Sequence, residues 1–147
     1  MNNLQNVKVV NVTPPAAIVD NASFATTTID TLGFNKVAIY FQLGATDIAM
    51  TALKVQESDD SGMSGAADIT GAVYGATGAP ALPTATDDNK IFGFFIDLKG
   101  RKRYLDVVAT AGDGSAGTFG ACIAELYNGN VTSDDATERG LAANLIV

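Results

Sequence analysis

Three acidic pairs, a basic triplet and one cysteine are the residues of this chain whose types and spacing could do chemistry. Asp59-Asp60, Asp87-Asp88 and Asp134-Asp135 each lie in a loop-like segment. Oxygen ligands converging from such loops could hold calcium, and paired carboxylates could hydrolyse a glycosidic bond. The alternating D-x-D-x-[DN]-G spacing of a calcium loop is missing, however, and there is no Trp to form a sugar platform. Turn formation and solubility are the simpler roles, because Asp side chains cap their own backbone. Cys122 sits inside the apolar run GACIAEL, and a thiol nucleophile needs a base to activate it. The sequence contains 0 His, which removes the commonest base, zinc ligand and neutral-pH switch together. Cys122 therefore reads as a small buried hydrophobe, and a lone cysteine gives no disulfide framework. The Gly-rich run GAVYGATG (71–78) lacks the strand and helix that flank a phosphate cradle, and no nucleophile-elbow or zinc motif occurs. No catalytic residue, metal ligand or cofactor is expected, so the chain does not read as an enzyme.

The basic triplet Arg101, Lys102, Arg103, followed by Tyr104, is the exception in an acidic chain of 9 basic and 16 acidic residues, net charge -7. It could meet phosphate, an acidic protein surface or solvent. Nucleic-acid binding draws its affinity from neutralised phosphates, which this net charge opposes. A protein partner suits the triplet better, since Arg and Tyr are enriched at interfaces. The apolar end Leu145, Ile146, Val147 needs cover from its own domain or from a neighbouring subunit. These seven residues are the expected protein interface.

The elements that must position them read as strands. At 147 residues, 47% hydrophobic and 17% charged, the chain suits one domain with a real core. Strands are expected at 7–12, 24–31, 36–44, 51–60, 90–97, 103–111 and 118–128. The Gly/Ala/Thr/Pro-rich stretch 62–89 is expected to hold one short strand and otherwise to lie on the surface. In KVAIYFQLG (36–44), Val37, Ile39 and Phe41 alternate with Ala38, Tyr40 and Gln42, the period of a strand with two different faces. Short strands at this spacing, with Gly, Asp and Asn turns and no amphipathic helix, predict an all-β fold. An antiparallel β-sandwich of jelly-roll type with about eight strands fits best. Residues 1–15 and 131–147 are candidate arms of this single domain, 1–147. The basic triplet would close a hairpin between strands 90–97 and 103–111. The N-terminus lacks the cationic start and apolar run of a secretory signal, so synthesis in a cytoplasm is expected, and the Asn-x-Ser/Thr triplets at Asn11, Asn21 and Asn130 read as coincidences. No stretch approaches the ~20 apolar residues that span a bilayer, so no membrane partner is expected.

Three short cues occur in order: Ile29, Asp30, Gly33, Phe34 and Val37; then Lys54 to Asp60 (KVQESDD); then Gly100, Lys102, Arg103 and Tyr104. Together they resemble a family of small virion proteins of tailed bacteriophages, over roughly residues 24–125. In that family the strand after Lys-Arg-Tyr often continues Val-Arg-Val, whereas here Asp106 replaces the cation. The resemblance implies a capsid decoration or cement protein: a β-sandwich module, often a homotrimer, seated on the capsid exterior and made in the host cytoplasm. Its implied partners are the major capsid protein and other copies of itself. A tail, neck or fibre-base component is the alternative within the same biology, and a carbohydrate-binding module the alternative outside it.

Overall fold

The computed structural model describes residues 6–15, 18–130 and 135–145. Eight strands run in chain order: β1 Lys8–Thr13, β2 Ile29–Asp30, β3 Lys36–Leu43, β4 Ala52–Ser58, β5 Ala67–Val73, β6 Ile91–Asp97, β7 Tyr104–Thr110 and β8 Gly120–Tyr127. They form two four-stranded sheets, ordered β1-β8-β3-β6 and β2-β7-β4-β5. Every pairing is antiparallel. The pairs β1·β8, β2·β7, β3·β6 and β4·β5 are those of one long hairpin, folded between β4 and β5 and then rolled up. Among these strands, only the β4–β5 connection stays within a sheet. This is a jelly roll, as expected from the spacing of the strands.

The period of two explains the core. Along β3, Val37, Ile39, Phe41 and Leu43 are buried, and β8 adds Cys122, Ala124 and Leu126 from beside it. Leu53 and Val55 of β4 face them from the other sheet with Leu105, Val107 and Ala109 of β7. Burying a side chain the size of Phe41 or Leu105 contributes about 1.5–3 kcal/mol. Phe24 meets Phe41 edge-on, with ring centroids 5.7 Å apart. The start of β8 makes room for both rings, because a Cβ at Gly120 would lie 2.7 Å from Phe41 Cζ and 3.0 Å from Phe24 Cζ.

Three expectations need correction. Strands 90–97 and 103–111 are not a hairpin: β6 pairs with β3 in one sheet, and β7 pairs with β2 and β4 in the other. The basic segment is thus a crossover at one end of the sandwich. The expected strand 24–31 shrinks to Ile29–Asp30, with only isolated bridges at Val19–Thr118 and Ser23–Thr110 before it. Conversely, β5 is a full strand of seven residues. Its Gly71 takes a φ of +87° beside a register shift against β4, a bulge that a side-chain-bearing residue would strain.

Candidate protein-docking surface

The basic crossover is built as a corner where three distant segments meet. After β6, Lys99 N–H donates to Asp97 Oδ1 and Arg101 N–H to the Leu98 carbonyl, which turns the chain toward β7. Arg101 Nη1 then reaches Glu57 Oε1 at 3.3 Å, and the Lys102 N–H donates to Glu57 Oε2 at 3.1 Å. Lys102 Nζ lies 3.6 Å from Asp59 Oδ2. Arg103 spans the β7–β2 pair and donates from Nε and Nη2 to the two Asp30 oxygens, while its guanidinium sits 4.9 Å from the Tyr104 ring centre. The fork holds the Asp30 carboxyl below the usual carboxylate range, with the Leu32 N–H adding to the effect. All three cations thus have acidic partners within the chain. The corner thus gathers Asp30, Glu57 and Asp59, and Arg101 to Tyr104, from three segments distant in the sequence.

Of the acidic pairs, Asp60, Asp87 and Asp135 serve turns, whereas Asp88 ties two distant loops and Asp59 meets Lys102. Asp60 Oδ1 accepts the Gly62 N–H at 2.8 Å, and Asp87 Oδ2 accepts the Thr84 N–H at 2.8 Å while Lys90 binds its other oxygen. Asp88 Oδ1 accepts the Thr46 N–H and Asp135 Oδ1 the Glu138 N–H; Asp134 is outside the described residues. Among the described residues, no three acidic or cysteine side chains converge as a metal site would require. Cys122 lies on β8 between β1 and β3 and is buried in the core, and burial pushes its thiol up to about 12. Of the apolar end, Leu145 is 95% exposed, and Ile146 and Val147 lie outside the described residues.

The two outer faces of the sandwich differ in kind. On the β2-β7-β4-β5 sheet the outward side chains bond one another. Lys54 and Gln56 both donate to Asp68, Thr26 Oγ1 donates to Asp106 at 2.7 Å, and Ser23 pairs with Thr110. Such a face is content in water. The outward face of β1-β8-β3-β6 is aromatic and aliphatic instead. Phe95 is 77% exposed and Ile91 62% exposed on β6. Phe95 stands edge-on to Tyr40 of β3, ring centres 6.0 Å apart, and its ring lies 3.4 Å from where a Cβ of Gly93 would be. The β3–β8 register places Ile123 beside Tyr40 and Glu125 beside Ala38. The Tyr127 hydroxyl donates to Glu125, and that bond holds its phenol protonated above the ordinary range. The charges of this face, Lys36, Glu125 and Asp97, gather at the end of the sheet where β3 begins. Exposed rings on a sheet face mark a surface suited to another protein.

Sequence reasoning passed over this surface. Its signal was present in KIFGFFID, where both alternating sets are apolar, so one set had to point outward whichever way the strand faced. The chain matches no family model, no curated protein and no solved structure.

Proposed function

We propose that this chain is a structural, protein-binding module and, more finely, a decoration or cement protein on the exterior of a phage capsid. The observation that carries the coarser reading is Phe95, presented with Ile91 and Tyr40 on one face of the sandwich, opposite a face whose polar groups bond one another. Such a module has an adhesive side and a solvent side. The sequence resemblance supports the finer reading. The jelly roll is compatible with it, although capsid and lectin domains share that architecture, so the fold by itself is only an analogy.

The adhesive side lies against the major capsid protein in this reading. The basic corner then acts mainly as a clamp that holds the crossover from β6 against β2 and β4, because its charges are met at home. The polar sheet and the net charge of -7 face water. A contact of standard size would bury roughly 800 Å² per partner, and several copies joined as a homo-oligomer would gain avidity from contacts that are individually modest. Rupture of the shell must break those contacts too, which is how a protein without catalytic groups would strengthen it.

The test uses the purified protein and expanded, DNA-free capsids from the virion whose genes adjoin this one. The protein is expected to sediment with the capsids and to raise their disruption temperature. If it stays in the supernatant and capsids lacking it are equally stable, the capsid reading fails. Heat from glycan titration in the same preparation would favour a carbohydrate-binding module instead.

A further inference from the structure

The antiparallel registers lay out the outward face of β1-β8-β3-β6 row by row. At the end where β3 begins, Lys36 lies between Asp97 of β6 and Tyr127 of β8. One row further, Ala38 lies between Phe95 and Glu125. Ala38 is the small member of its row, and its methyl group leaves a gap among taller neighbours. The gap is a hollow of about 250 Å³, lined by Ala38, Phe95 and Tyr127 and bordered by Lys36 and Asp97. A closed apolar cavity of about 150 Å³ already accepts benzene. The hollow therefore has room for an aromatic or branched aliphatic side chain.

The charged groups around this hollow are not equally satisfied. Glu125 accepts the Tyr127 hydroxyl, and Asp97 Oδ1 accepts the Lys99 N–H at 2.9 Å. Lys36 forms no ion pair and no side-chain hydrogen bond among the described residues. Its side chain is exposed, so water serves the ammonium while the face is bare. Docking removes that water, and an ammonium covered without a partner is strongly unfavourable. A purely apolar guest would leave Lys36 in that state, and a cationic guest would be repelled by it. A guest with a carboxylate satisfies it.

We propose that the hollow over Ala38 is a binding site for an apolar side chain with a carboxylate beside it. The apolar group fills the gap against Phe95 and Tyr127, and the carboxylate accepts from the Lys36 ammonium. The occupant rests on the docking reading above: it is a Phe, Leu or Ile of the capsid protein with an Asp or Glu next to it. Phe95 flanks the guest as an aromatic anchor, and the ion pair fixes its orientation. The net charge of -7 opposes such a guest only weakly, because salt screens charges further than about 8–10 Å away.

The test separates the site from its occupant. Phenylpropionate, phenylpropionamide and phenylpropylamine present one ring with a carboxylate, a neutral amide or an ammonium. Each is titrated to about 50 mM into the isotope-labelled full chain, and amide chemical shifts are followed by NMR. Phenylpropionate is expected to shift Lys36, Ala38 and Phe95 with a Kd of about 1–10 mM. It is expected to bind about threefold to fivefold tighter than the amide, and the amine weaker still. Lys36→Met keeps the stem and is expected to erase the preference for the carboxylate. Ala38→Leu fills the hollow from below and is expected to abolish the shifts with all three probes. Both variants are expected to keep the wild-type circular dichroism. Equal binding of carboxylate and amine, shifts confined to another part of the chain, or a carboxylate preference that survives Lys36→Met overturns the proposal. Co-sedimentation with expanded, DNA-free capsids then tests the occupant, and each variant is expected to bind about tenfold or more weakly than wild type. Capsids that bind wild type and both variants alike overturn the proposal and leave the capsid reading standing. A wild type that ignores capsids yet takes the carboxylate at Ala38 overturns the capsid reading and leaves the site standing.

Discussion

Arg103 grips Asp30 across the β7–β2 pair with two parallel hydrogen bonds, Nε to Oδ1 at 2.8 Å and Nη2 to Oδ2 at 2.7 Å. The fork ties the crossover from β6 to the edge of the opposite sheet. Both side chains are partly exposed, so the pair contributes geometry more than stability. A lysine in place of the arginine keeps the charge and loses the fork. Arg103→Lys and Asp30→Asn should each lower Tm slightly, and the double variant should lower it no further than the worse single one. Additive losses in this cycle would show that the two residues act separately.

Glu57 is the more enclosed half of the same corner, its side chain 16% exposed, and it accepts from Arg101 and from the Lys102 backbone. Glu57→Ala leaves that N–H and that guanidinium without their carboxylate, and should reduce unfolding free energy by about 1–3 kcal/mol. Chemical denaturation measures it. A loss near zero would mean that the turn is held by its own backbone bonds.

In the core, Phe41→Ala removes a fully buried ring and its edge-on contact with Phe24. The expected destabilisation is about 3–5 kcal/mol. The neighbouring Cys122, buried and with its thiol pushed up to about 12, should resist a thiol reagent in the native state and react once the protein is unfolded. Rapid labelling of the folded protein would contradict its placement between β1 and β3.

Acid stability follows from carboxylates held below their ordinary value of 3.8: Asp30 by Arg103, Asp47 by Ser115 and Ala116, Asp68 by Lys54 and Gln56, and Asp87, near 2, by Lys90 and Thr84. A depressed folded value favours the native state above the unfolded value, and that favour fades as pH drops through the folded value. With 0 His in the chain, Tm should stay nearly flat from about pH 5 to 8 and fall below about pH 4. Asp87→Asn should flatten the lowest part of that fall. A transition centred near neutral pH would contradict the assignment.

How much of this was legible in the sequence depends on how local each signal is. The strand β3 was plain, because Val37, Ile39 and Phe41 alternate with Tyr40 and Gln42 and one set must be buried. The strand β5 was weak, because ADITGAV offers Ala, Gly and Asp where strands favour branched and aromatic residues; pairing with β4 makes it a strand. The supposed hairpin at 90–111 misled because a short Gly-containing link between apolar runs usually does close one. In a rolled hairpin the partners are distant instead, and β6 finds β3 while β7 finds β2 and β4. The basic corner was visible as three cations, but its partners stand 44 and 73 residues away in the chain, beyond the reach of spacing rules. Phe95 was read as strand and not as surface, since nothing local tells which of two apolar sets will face outward.

The most direct test of the docking account is co-sedimentation with expanded, DNA-free capsids using three chains: wild type, Phe95→Asp on the aromatic face, and Thr70→Asp on the polar face. Wild type and Thr70→Asp are expected to sediment with capsids alike. Phe95→Asp is expected to stay folded and to lose binding by about tenfold or more, as removal of a central aromatic anchor does. Equal binding by all three, or a loss confined to Thr70→Asp, would contradict the assignment of the β1-β8-β3-β6 face as the side that docks.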